Sequence, residues 1–145
     1  MNKKYFISIG LLFIGVVATA VISSYGSITG YATVEKSLTI DIIGSSNDEN
    51  YSIKAYQGET VYSPKIKLIN KAKIPVNVNL SLTILPESAG NEKDVKLSVE
   101  NEFKNETLKN PVKVPEGYLY FYIKHEFEPN ANLGNYFFKL DVIPT

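Results

Sequence analysis

From Thr33 onward the apolar positions recur every second residue, the period of a half-buried β-strand. Val34, Leu38, Ile40 and Ile42 alternate with Glu35, Ser37, Thr39 and Asp41. Val76, Val78, Leu80, Leu82 and Ile84 alternate with Asn77, Asn79, Ser81 and Thr83, the cleanest alternation in the chain. Shorter runs of the same kind fall at residues 51–56, 60–69, 95–100, 118–127 and 135–143. Turn-forming clusters separate them: Gly44-Ser45-Ser46-Asn47, Gln57-Gly58-Glu59, residues 70–75, residues 86–91, Pro115-Glu116-Gly117 and residues 129–134. After Ile22 no stretch carries a helical period. About seven short strands with one polar face each predict an all-β domain, an antiparallel β-sandwich of the Ig-like or jelly-roll kind.

Residues 118–123, Tyr-Leu-Tyr-Phe-Tyr-Ile, break the alternation because both faces are apolar or aromatic. A strand of that composition is central, with Pro115 before it and Lys124 after it as gatekeepers against aggregation. Two readings stand. In one, Leu119, Phe121 and Ile123 fill the core and the tyrosines lie on the outer sheet face. In the other, Tyr118, Tyr120 and Tyr122 form a stripe that meets a neighbouring subunit.

The opposite pattern, unbroken apolarity, opens the chain. Lys3 and Lys4 lead into a run over residues 7–22. A charged start, an apolar stretch and the small-residue exit Ala18-Thr19-Ala20 predict a secretory signal peptide over 1–20, with Val21 as the mature start. An uncleaved anchor helix reaching to about residue 22 is the alternative, since a spanning helix needs about 20 residues. Either reading predicts an extracellular or cell-surface domain that touches membrane only through this segment. Residues 21–32 belong to neither the apolar run nor the domain expected over 33–145. They are small, polar and β-prone, with Ile22, Ile28 and Tyr31 as spaced apolar residues. They read either as a flexible tether or as a strand available to the sheet of another copy.

Charge removes some partners. The chain balances fifteen lysines against fifteen acidic residues and contains no arginine; beyond Ala20 thirteen lysines remain, for a net charge of −2. That gives no footprint for nucleic acid, and the missing guanidinium fork argues against phosphate recognition. The absence of cysteine leaves an exported domain of this size to be held by core packing, by metal or by assembly rather than by disulfides.

Catalytic chemistry is sparse. The single histidine begins the string His125-Glu126-Phe127-Glu128-Pro129, which fails the zincin pattern because Pro129 stands where the second histidine belongs. His125 therefore reads as a surface or strand residue whose replacement leaves the fold intact. No nucleophile elbow or glycine-rich phosphate loop occurs. The acidic clusters at residues 47–50 and 92–94 lack EF-hand spacing and read as charged loop tips. Neither an enzyme nor a cofactor is expected. Sequons place candidate N-glycosylation at Asn50, Asn79 and Asn105, with Asn79 on the polar face of its strand.

A lysine-led signal, a small-residue linker, the strand opening Ala32-Thr33-Val34-Glu35, Gly58-Glu59 running to Asn70, and Ile74-Pro75 before Val76-Asn77-Val78 occur in order. Gly134-Asn135-Tyr136-Phe137-Phe138-Lys139-Leu140-Asp141-Val142 follows near the end of the sequence. This arrangement resembles the TasA/camelysin-like family of exported β-sandwich proteins, including related archaeal pilus subunits. The resemblance implies a structural subunit of an extracellular filament or biofilm matrix that polymerises with itself by donating an N-terminal strand. Camelysin's metalloprotease label has no zinc-binding set here to attach to. The remaining alternatives are a membrane-anchored monomeric Ig-like adhesion domain and a type IV pilin-like subunit. For the pilin, Lys4-Tyr5 does not match the prepilin cleavage pattern.

Overall fold

A computed structural model describes residues 25–46 and 50–145. The signal or anchor segment and Ile22 lie outside the described residues, as do three positions of the acidic cluster at 47–50. The chain divides into two units, residues 1–36 and 37–145. In the first, residues 25–36 carry neither helix nor strand, and their side chains are exposed. Among the described residues no helix is long and apolar enough to cross a membrane.

The second unit is all-β, with eight antiparallel strands. They are β1 (Leu38–Ile42), β2 (Thr60–Tyr62), β3 (Ile66–Asn70), β4 (Val76–Ile84), β5 (Val95–Asn101), β6 (Val112–Val114), β7 (Gly117–Phe127) and β8 (Phe138–Pro144). The larger sheet has the order β1-β3-β7-β2, with β5 also on β7; the smaller has the order β6-β4-β8. β7 is central because it is the longest strand and has partners on both edges. β3 and β2 share one side, pairing with its first and second halves, and β5 takes the other.

Alternation predicts one strand over 60–69, and the protein divides it in two. Pro64 has no N–H to give to the ladder. Ser63 repairs the gap: its own N–H donates to the Ile123 carbonyl at 2.8 Å. Its hydroxyl accepts the Ile123 N–H at 2.8 Å and donates to the Pro64 carbonyl at 2.8 Å. Residues 51–56 alternate equally well in sequence but form no strand, because no ladder neighbour reaches them. They enter the turn at Gly58, whose φ of +77° suits a residue without Cβ. There the Glu59 N–H closes on the Tyr56 carbonyl at 3.1 Å.

The two sheets share one core. Ile66, Leu68, Val99, Phe121 and Ile123 come from the larger sheet, and Val78, Leu80, Val112 and Val114 from the smaller. Burial of this kind is the main favourable term in a domain without disulfides. In β7 the core-facing residues include Phe121 and Ile123, while Tyr118, Tyr120 and Tyr122 turn outward, an orientation common to both readings of the stripe.

Candidate functional site: an open flank between two sheet edges

The two flanks of the domain differ. On one, the chain leaves the larger sheet and joins the smaller. The Leu108 N–H donates to the Val99 carbonyl at 2.8 Å, and Glu100 bridges to Thr107. The Asn110 carboxamide then accepts the Leu80 N–H at 2.9 Å and donates to the Leu80 carbonyl at 3.0 Å, standing in for a ladder residue on β4. β6 continues that edge, pairing Val112 and Val114 with Val78 and Val76. The core behind this crossing is closed, and Val114 is 0 % exposed.

On the other flank β1 and β8 are both edge strands, and among the described residues no strand joins them. A cavity of about 700 Å³ opens there. It is lined by Ile40 and Ile42 of β1, Leu82 of β4 and Phe138 and Leu140 of β8, and also by residues 50–53, 55–57 and 131–137. Apolar side chains remain in contact with water along this flank: Ile40 is 36 % exposed, Phe137 46 % and Leu133 80 %. A connected exposed apolar surface of this kind marks a binding site.

Among the described residues, the β8 backbone on this side is also without a ladder partner. The Leu85 N–H donates to the Phe137 carbonyl at 2.8 Å and the Thr145 N–H to the Asn77 carbonyl at 3.2 Å. With the β4–β8 register, these bonds place the odd-numbered residues of β8 in hydrogen-bonded pairs. By the alternation of an antiparallel ladder, Phe138, Leu140 and Val142 direct their N–H and C=O groups away from β4.

His125 stands in the core beside this flank. It is a strand residue, in β7, but not a surface one: its side chain is fully buried. Its position explains why: β7 alternation puts it on the core face in register with Val61 and Leu97. Both ring nitrogens are engaged: Nδ1–H donates to the Val61 carbonyl at 3.1 Å and Nε2 accepts from the Tyr51 hydroxyl at 2.9 Å. The ring also packs against Phe138, with centroids 5.0 Å apart. Burial lowers its pKa, opposed by the Val61 hydrogen bond, and burial pushes the Tyr51 hydroxyl up. The pair is neutral and mutually satisfied, which suits anchoring residues 50–53 to the domain rather than proton transfer. The expectation that His125→Ala leaves the fold intact is therefore corrected: the change removes a packed ring and orphans two polar groups.

At the groove mouth Asp94 ties two loops together. Its carboxylate accepts the Asn91 N–H and the Asn132 N–H, each at 3.0 Å, and these bonds hold its pKa below the usual range. The Tyr136 hydroxyl donates to the Asn132 carbonyl at 2.6 Å. Among the described residues no group of three or more His, Asp or Glu side chains could hold a metal ion.

The tyrosines lie elsewhere, on the outer face of the larger sheet. Tyr118 is 51 % exposed and its ring centroid lies 4.9 Å from that of Tyr120. Lysines cover the rings: Lys65 over Tyr120 at 4.8 Å, Lys67 over Tyr118 at 4.9 Å and Lys104 over Tyr122 at 4.5 Å. Of the sequons, Asn50 and Asn105 are exposed and Asn79 is half-buried on the outer face of β4. Ile28 and Tyr31 are exposed within residues 25–36. Sequence alternation locates the strands on each side of the groove but carries no signal for the groove itself, which follows from which edges stay unpaired. Comparison with known protein families, with curated proteins and with solved structures finds no match.

Proposed function

We propose that this chain is an exported structural subunit, a β-sandwich of the Ig-like or jelly-roll kind, that polymerises with copies of itself by β-strand donation. The observation that carries this reading is the flank between β1 and β8. A cavity of about 700 Å³ runs beside an edge whose outward backbone groups have no ladder partner. A strand added there gains main-chain hydrogen bonds and buries alternate side chains, the two components of β-strand addition. The same addition removes an exposed sheet edge, which is otherwise an aggregation hazard. The donor is the β-prone segment over residues 21–32, and the N-terminal apolar run directs export to the cell surface or beyond. Catalysis, cofactors and nucleic acid play no part in this role.

The test compares the chain beginning at Val21 with one beginning at Thr33. Negative-stain electron microscopy is expected to show filaments for the first and none for the second. A synthetic peptide of residues 21–32 is expected to bind the shortened domain and raise its Tm as peptide concentration rises. Filaments formed by the shortened chain, or a Tm indifferent to peptide, would refute strand donation and leave a tethered monomeric domain.

A further inference from the structure

We propose that the donated strand adds antiparallel to the free edge of β8, with Ile28 and Ala32 turned into the groove of a second copy. This rests on the strand-donation reading above. The choice of edge follows from the backbone. Phe138, Leu140 and Val142 point their N–H and C=O groups outward and, as partners of Ile84, Leu82 and Leu80, turn their side chains to the core. Residues opposite each other across an antiparallel ladder share a face. Each donor residue opposite these three therefore enters the core as well. Pro144 ends the usable edge, because it has no N–H. The rival edge, β1, is shorter, five residues against seven.

The choice of face follows from the donor sequence. The even positions from 26 to 34 read Gly, Ile, Gly, Ala, Val, and the odd positions from 25 to 35 read Tyr, Ser, Thr, Tyr, Thr, Glu. Only the even set lacks hydroxyl and charged groups, so only it enters an apolar groove without desolvating polar atoms. Gly30 and Ala32 leave room for the bulky Phe138 and Leu140 side chains opposite. Ile28 and Tyr31 are three apart and cannot share a face in an unbroken strand. Ile28 belongs to the filling face and Tyr31 to the outer one; Ile22 has the parity of Ile28 but is separated from it by Ser24.

The choice of a second copy follows from the connection. Residues 33–37 are Thr-Val-Glu-Lys-Ser, in which Ser37, at a bend, is the single residue of the kind that reverses a chain tightly. Closing its own groove would require a reversal in that stretch, whereas entering a neighbour's does not.

The chain has no cysteine, so introduced pairs report without background. Asp141 faces outward on β8, at a position where an added strand approaches in the closer, non-hydrogen-bonded pairing. Under mild oxidation, D141C combined with T29C or with Y31C in the full chain is expected to give a ladder of disulfide-linked oligomers on a non-reducing gel. D141C combined with I28C is expected to give none. These sites are at the surface, so the variants keep the core intact. A ladder from T39C, on the outer face of β1, would overturn the β8 assignment while leaving strand donation standing. A ladder from D141C with I28C would overturn the facing. Cross-linked monomer without a ladder would overturn the second copy. Protein that neither assembles nor cross-links at either edge would overturn strand donation itself.

Discussion

Replacing Ser63 by alanine deletes one oxygen from the interior, and its cost follows from what that oxygen does. The Ser63 hydroxyl accepts the Ile123 N–H at 2.8 Å, and both residues are nearly inaccessible, at 4 % and 2 % exposed. Alanine leaves the Ile123 amide without an acceptor in a place water does not reach. An orphaned buried donor costs about 1–3 kcal/mol, and the bond to the Pro64 carbonyl is lost as well. A central value of about 2 kcal/mol corresponds to a fall in Tm of roughly 8 °C for a domain of this size. Ser88 supplies the control. Its hydroxyl accepts the Phe137 N–H at the same 2.8 Å distance, but in an exposed setting. There water takes over the amide, so Ser88→Ala is expected to cost less than about 0.5 kcal/mol. Urea unfolding of both variants, monitored by fluorescence and circular dichroism, measures the pair. Equal losses, or a Ser63→Ala variant within about 0.5 kcal/mol of the parent, would refute the claim that desolvation rather than bond length sets the cost.

Leu80→Asp is expected to abolish cooperative folding, because Leu80 is buried in the shared core, whereas Asn79→Asp, one residue away on the outer face, is expected to fold; far-UV circular dichroism separates them. Phe121→Ala removes a fully buried ring and is expected to cost about 3–5 kcal/mol by urea titration. The lowered pKa of His125 means that the unfolded chain binds its proton first as pH falls. Stability from this residue is therefore complete above about pH 6.5 and declines below it, down to the folded-state pKa. His125→Gln is expected to flatten that part of the stability–pH profile, and an unchanged slope between pH 7 and 5 would exclude His125 as its source.

Strand alternation made much of the fold legible. β4, β5 and β7 lie close to where the period of two places them, because each is long enough to show the period and has one buried face. The failures share a cause. Thr60–Tyr62 and Ile66–Asn70 look continuous in sequence because hydropathy does not register the missing N–H of Pro64 or the repair by Ser63. Residues 51–56 look like a strand because alternation reports sidedness, not whether a neighbouring edge is in reach. β6 holds only Val112–Val114, too short for any period. His125 was misjudged for a related reason: its fate was set by its parity in β7, which alternation does contain, but the motif comparison drew attention to metal ligation instead. The groove is a relation between β1 and β8, about a hundred residues apart, and no local pattern encodes it.

Asn110 has a consequence for the shape of any polymer. Its carboxamide carries the same donor and acceptor as a peptide unit, so it completes the ladder at Leu80, yet it has no next residue with which to extend pairing. The crossing flank is thus terminated chemically, by a group that mimics backbone for one step and then stops. Under the proposed strand donation, a subunit gives one strand and receives one, a valence of two with unlike ends. Contacts between unlike surfaces do not close into a dimer; they propagate head to tail. The product of that proposal is unbranched and directional, with one tip that offers a strand and one that offers a groove. A copy lacking residues 21–32 is then expected to accept a strand but give none, and at low stoichiometry to shorten the filaments seen by electron microscopy.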